Sequence, residues 1–320
     1  MTNDSLSHWN WEEEELENPV GHTDWVFSPL SNELTICRTI ENPKGEFAPW
    51  DSFRDRIVSV VLFEALASIC NRAFYCCHQL QTVQIPMSVT AIGDEAFAYC
   101  NLKNPNSIPD AVETIGNAAF AYCNFYSIKI PRSVVSFGGN PFHGCRYLRE
   151  IDVSENPNFV LVDGVLMDKE KTQIFYCDLL KSGNYTIPST VTAIRENAFF
   201  AGTLTSIKIP DSVREIGDGA FSCNIYLKSI KLYLNTESLG VNPLNWYRRL
   251  FKTRTSEWTH NFKVVDDVLF DREMTRLVWC SPEKSGSFEI PNTVRTIDLH
   301  ALSLCPQLTS IAIPSSITKI

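Results

Sequence analysis

The sequence predicts an α/β repeat solenoid, with a parallel β-sheet along its concave face and short helical or 3-10 turns along its convex side. Two observations carry this. The dipeptide Ile-Pro returns at Ile85, Ile108, Ile130, Ile187, Ile209, Ile290 and Ile313, with spacings of 23, 22, 57, 22, 81 and 23 residues. Nearly every return is followed by the same string of apolar and small residues. One unit of 22 to 23 residues holds too few apolar groups to close a core, so stacked units must bury each other's Val, Ile and Phe in rows.

Residues 1–20 precede any of this and carry the run Glu12 to Glu15, the mark of an acidic, flexible tail. Residues 21–56 read as an N-terminal cap. Trp25 to Ile36 forms a hairpin with Ser31-Asn32 at its turn, followed by Ala48-Pro49-Trp50 and Phe53-Arg54. A cap is required because the first unit would otherwise turn an apolar face to water.

The array proper spans residues 57–320. In its clearest unit, Leu80 to Ile85 alternates as a strand does, with Val83 and Ile85 inward and Thr82 and Gln84 outward. Pro86 ends that strand. Val89, Ile92, Gly93, Ala96, Phe97 and Cys100 follow, and return as Val112, Ile115, Gly116, Ala119, Phe120 and Cys123. Gly93 is expected to permit a turn. The Ala-Phe-x-x-Cys segment is too short for an ordinary helix and is expected to make a single helical or 3-10 turn that plugs Phe into the core. The unit stops short after Ile313-Pro314, so the array is incomplete at Ile320.

The period, the inward Leu, Ile and Val, and the repeated Cys place the chain among leucine-rich repeats. The line L-x-x-V-x-I-P-x-S-V-T-x-I-G-x-x-A-F-x-x-C, met almost residue for residue from Leu80 to Cys100, resembles the BspA-type leucine-rich repeat family. The resemblance covers about Arg56 to Ile320, and Ala48-Pro49-Trp50 with Phe53-Arg54 resembles the cap that precedes such arrays. It implies a fold and no ligand. Members resemble adhesins, secreted binding proteins and intracellular proteins alike.

Two stretches, 151–187 and 232–290, exceed one repeat. Both contain a related phrase, Leu161 to Asp168 and Val264 to Asp271, then a second apolar run ending at Cys177 or Cys280. They read as hairpin-bearing variants whose strands join near Asp168-Lys169 and Asp271-Arg272. Within the second, Asn242-Pro243 is placed to cap a short helix carrying Trp246, Arg248 and Arg249. That segment reads as a solvated cover or as a docking loop for a partner.

Cys77, Cys100, Cys123, Cys145, Cys223 and Cys305 share one repeat position and are read as a column of small buried thiols. Eleven cysteines in all, an odd number, suit a reducing compartment better than a disulfide scaffold. The histidines show no zinc spacing, and no P-loop, dinucleotide fingerprint, G-x-S-x-G or H-E-x-x-H occurs. No catalytic, metal or cofactor site is therefore expected.

A net charge of −9 argues against nucleic acid as partner. The longest apolar run, Ile57 to Phe63, is far too short for a membrane span. Met1 to Trp11 has no positive region and no apolar core, which points to the cytoplasm while leaving the cell surface open. The function expected is a non-enzymatic protein-protein interaction scaffold. The alternatives are a cell-surface or secreted adhesin and, behind both, an enzyme with an unrecognised site. The outward strand positions Lys129, Asp152, Lys208 and Lys231 are the candidate binding residues, together with Trp246, Arg248 and Arg249. The recurring lysines favour an acidic protein partner, and the open last repeat favours self-association.

Overall fold

In a computed structural model the described residues are 20–320 apart from 23, 41–46, 104–107, 228, 232–235, 242, 244–260, 282 and 304. The chain winds as a β-solenoid whose turns feed two rows of parallel strands. The longer strands precede Ile-Pro or its equivalent. Ser127–Lys129 pairs with Glu150–Asp152; Ser182–Thr186, Thr203–Lys208 and Ser229–Lys231 form a second sheet; Gly286–Glu289 pairs with Leu308–Ala312. From Leu80 to Ile85 the alternation of burial holds, with Val83 and Ile85 buried and Thr82 and Gln84 exposed, but the segment forms no ladder.

A second row, not expected from the sequence, follows the first, in most units just after the proline. Ser68–Ile69, Ala91–Ile92, Thr114–Ile115 and Ser136–Phe137 form one parallel sheet, and Ala193–Ile194, Glu215–Ile216 and Ser238–Leu239 continue another. Two-residue strands are too short to show a periodicity. They exist because the neighbouring turn supplies the partner.

The turn side corrects a second expectation. Among the described residues the repeats contain no helical turn, and the 3-10 segment Asp51–Phe53 lies in the cap. Overlapping β-turns replace it. The N–H groups of Ala96, Ala98 and Cys100 donate to the carbonyls of Gly93, Glu95 and Phe97 at 3.3, 3.1 and 3.2 Å. Glu95 and Tyr99 take left-handed φ values of 55° and 63°, which stops a right-handed helix from propagating. Their N–H groups, with that of Phe97, reach the next turn instead, at Asn117, Ala121 and Ala119. Alternate amides from Glu95 to Cys100 are thus satisfied within the turn and between turns, without a helix.

Gly93 and its equivalents serve close approach rather than a special φ. A Cβ on Gly116 would lie 2.5 Å from the Asp94 nitrogen and 2.5 Å from the Gly93 carbonyl carbon. Gly93, Gly116, Gly138, Gly217 and Gly240 each follow an ordinary turn. Cys70, Arg195 and Asp298 stand in the same place after the cap or a variant unit, where no such turn precedes.

The variant units are three-stranded antiparallel meanders, 159–177 and 262–280, with matching register and a bulge at the same step. Besides the junctions near Asp168 and Asp271 they turn at Asp163-Gly164 and Asp266-Asp267, all four residues left-handed. The carboxylate of Asp168 accepts the N–H groups of Thr172 and Gln173 at 2.6 and 2.9 Å, and Asp271 repeats this with Thr275 and Arg276 at 2.6 and 2.8 Å. Lys181 and Lys284 ion-pair with Asp163 and Asp266, fastening the first turn of each meander. The second variant begins later than residue 232. Ser238–Leu239 is an ordinary short strand, and the Phe221 N–H still donates to Pro243 at 2.9 Å.

The first meander does not break the turn stack. The Asn140 N–H donates to Glu196 at 3.0 Å and its side-chain amide to Asn197 at 2.9 Å, so the turns on either side of the insertion meet directly. Phe74, Phe97, Phe120 and Phe142 stack through the core with centroids 5.1, 5.4 and 6.2 Å apart. At the N-terminal end Trp50 donates its indole N–H to Ala73 at 2.6 Å, and Glu33–Ile36 pairs in parallel with Ser59–Leu62. These contacts bond the cap to the first turn.

Candidate functional site

The outward positions of the longer strands divide into two separate sheets. In the first, Lys129 and Asp152 are register partners, and the Lys129 ammonium lies 2.8 Å from Glu155. That hydrogen bond holds the Lys129 ammonium above its usual range. Asp152 is held below the usual carboxylate range, first by its hydrogen bonds from Ser154 and then by Lys129. This lysine is neutralised by its own neighbours.

In the second sheet Thr186, Lys208 and Lys231 are register partners on successive strands. Lys208 is exposed, Ile207 beside it is 1% exposed, and no described carboxylate ion-pairs with Lys208. The structure thus joins Lys208 to Lys231 along the strand row and Lys129 to Asp152, but no strand joins the two pairs. Trp246, Arg248 and Arg249 lie outside the described residues.

The cysteine column is a hydrogen-bonded one. The thiols of Cys100, Cys123 and Cys145 donate to the carbonyls of Phe74, Phe97 and Phe120 at 3.0, 3.1 and 3.0 Å, each reaching back one turn. Burial pushes Cys77 and Cys145 up to about 12, and Cys100 and Cys123 well above the ordinary thiol range. A protonated thiol is the donor these bonds need and a poor nucleophile.

Cys223 does not belong to the column. It stands two residues after Phe221 instead of three, with φ 62° and partial exposure, and Asn224 takes the place. The Asn224 amide donates to Phe199 and Phe221 at 2.5 and 2.7 Å, so a stronger donor fills the thiol's role. The spacing from Phe was the available signal. Cys305 keeps the spacing and is partly buried.

Sequence reasoning also missed two open cavities. One, of about 290 Å³, is lined by Gly138, Arg195, Glu196, Glu215, Asp218 and Gly240. The other, of about 330 Å³, is lined by Asp266, Phe270, Ser287 and Glu289 among others. Among the described residues no three His, Cys, Asp or Glu side chains gather to hold a metal, and no helix is long and apolar enough to cross a membrane.

Two strand rows, phased turns and a Cys/Asn column define a leucine-rich-repeat solenoid. The profile of the BspA type leucine rich repeat region matches residues 54–161, 171–270 and 279–320 in six copies. The chain belongs to the BspA-type leucine-rich repeat family. A leucine-rich repeat protein from Eubacterium ventriosum ATCC 27560 is similar with a TM-score of 0.62 and 24% identity, over 92% of this chain and 83% of that one. The pneumococcal vaccine antigen PcpA is similar with a TM-score of 0.50 and 15% identity, over 96% and 99%. A leucine rich cell surface protein from Faecalibacterium prausnitzii A2-165 gives 0.48 and 19%, over 92% and 94%. These identities speak to the fold. No curated protein matches the sequence.

Proposed function

We propose that this chain is a non-enzymatic protein-protein interaction scaffold that takes an acidic protein partner on the strand row around Lys208 and Lys231. The observation that carries it is their register. Two lysines on neighbouring parallel strands stand about 5 Å apart, where like charges repel. A partner's carboxylates would relieve that repulsion, as Glu155 already does for Lys129. Membership of a leucine-rich repeat family, a fold built to present an extended surface, supports the non-enzymatic part of the reading.

The test compares the full chain with Lys208→Glu/Lys231→Glu, using polyglutamate as the acidic probe and duplex DNA as the control polyanion. Polyglutamate should bind the parent chain, more weakly as salt rises, and the double variant should lose at least about tenfold with a flatter salt slope. Equal binding by both chains, or preference for DNA, overturns the assignment.

A surface or secreted adhesin is the second reading. It is favoured by the likeness to a pneumococcal vaccine antigen along 96% of this chain. Eleven cysteines, an odd number and too few for a disulfide scaffold, favour the cytoplasm. Fractionation of the producing cells with an antibody to the chain separates the two.

A further inference from the structure

The second meander brings two thiols together that the first does not. Cys177 and Cys280 end equivalent strands, and their N–H groups donate to Ala198 and Ala301, each at 2.8 Å. Each therefore stands where Phe74 stands in an ordinary turn, whose N–H donates to Ala96 in the same way. In ordinary turns the next column thiol reaches back to that residue's carbonyl. After Cys177 the column place is Gly202, which has no side chain. After Cys280 it is Cys305, whose sulfur lies 3.8 Å from the Cys280 carbonyl.

Both sulfurs also converge on one atom. The Cys280 thiol is 3.7 Å and the Cys305 thiol 3.5 Å from the Ser281 carbonyl oxygen, so the two sulfurs flank one acceptor. Cys280 is fully buried in the small core that closes this end, and Cys305 packs against that core while remaining partly open to solvent. The neighbouring Cys280 thiol holds the Cys305 thiol below its usual range, while the same contact and burial raise Cys280. The more exposed sulfur is thus the more readily ionised.

We propose that Cys280 and Cys305 are a redox-active pair that closes to a disulfide under oxidised glutathione, locking the last complete repeat to the second meander. The Cys305 thiolate attacks a glutathione disulfide sulfur, forms a mixed disulfide and expels one glutathione thiolate, which takes up a proton. Cys280, losing its proton to solvent, attacks the Cys305 sulfur and expels the second glutathione. Two protein thiols are oxidised and one glutathione disulfide is reduced to two thiols. The column cysteines stay out of this exchange, because Cys100, Cys123 and Cys145 are all buried and burial keeps them protonated, whereas Cys305 is partly open to solvent.

The test equilibrates the full native chain with glutathione buffers of stepped oxidised-to-reduced ratio, quenches in acid, alkylates under denaturing conditions and maps the peptides. The expected result is one disulfide, 280 to 305, forming first, while Cys100, Cys123, Cys145 and Cys177 still take alkylating reagent. Native Cys305→Ser should carry no bond at Cys280 at those ratios, and oxidised parent should melt higher than reduced parent. The proposal is overturned if 280 and 305 remain alkylated while other cysteines pair, or if bonds scatter among all eleven. Cys280→Ala supplies a second check: Cys305 should then stop at the mixed disulfide with glutathione, and failure to form it would remove Cys305 as the attacking thiol.

Discussion

The thiol of Cys123 donates to the main-chain carbonyl of Phe97, 26 residues earlier, at 3.1 Å. The same carbonyl accepts the N–H of Cys100 at 3.2 Å, so the bond joins two successive turns at one oxygen. A position that reads as a place for any small apolar residue is therefore a donor position. Cys123→Ala should cost about 1–2 kcal/mol from the lost donor and the void. Cys123→Ser should cost less, since the hydroxyl still donates. Urea unfolding of the three chains measures the order, and Ser worse than Ala would return the site to a matter of size.

Thiol labelling gives the same relationship a kinetic form. In the native chain Cys77, Cys100, Cys123 and Cys145 should react with a thiol reagent only on the time scale of unfolding, because they are buried and protonated. Partly exposed Cys305, whose thiol is held below its usual range, should react first, with partly exposed Cys37, Cys76 and Cys223 following. Mass mapping of early labelled peptides decides it, and early label at Cys123 would refute the buried column.

Close approach between turns should be felt at one glycine and not at its counterpart. Gly116→Ala forces a Cβ against the backbone of the preceding turn and should cost about 1–3 kcal/mol. Arg195→Ala, at the same repeat position after a meander, should stay within about 0.5 kcal/mol. Equal effects in denaturant melts would mean that the preceding turn does not impose the glycine.

At the first turn of the second meander, Asp267 holds φ 64° where the first meander has Gly164 at 72°. Asp267→Gly should raise stability by about 0.5–1 kcal/mol, because glycine enters the left-handed region without a Cβ penalty. The corresponding Gly164→Asp should lower it. Thermal melts of both variants check the sign.

His143 sets a pH dependence. Burial holds its imidazole below the usual histidine range, offset in part by a hydrogen bond with the Asn140 carbonyl. Its ring meets Tyr122 and Phe200 edge-on at 5.3 and 5.2 Å. The unfolded chain takes up the proton first as pH falls, so stability declines below about 6.5 until the folded-state value is passed. His143→Phe, the residue type found at the equivalent Phe200, should remove that part of the slope between pH 7 and 5. An unchanged slope would assign it to other groups.

The sequence by itself determined the repeat unit, the inward rows and the two variant units. Val, Ile, Phe and Cys return at fixed spacing because each turn must bury the same face as its neighbour, and that demand is written in every copy. Two things were decided only by tertiary structure. The Ala-Phe segment could have closed a helical turn on its own, but every second amide bonds to the next turn instead, and no local pattern distinguishes the two outcomes. Lys129 and Lys208 hold one repeat position, yet Lys129 ion-pairs with Glu155 while Lys208 is register partner to Lys231 on the next strand, because neighbours are set by what the adjoining turn presents. The same holds for Cys280 and Cys305. Their meeting depends on the meander putting a cysteine where an ordinary turn has phenylalanine, a registration that exists only once the strands are paired.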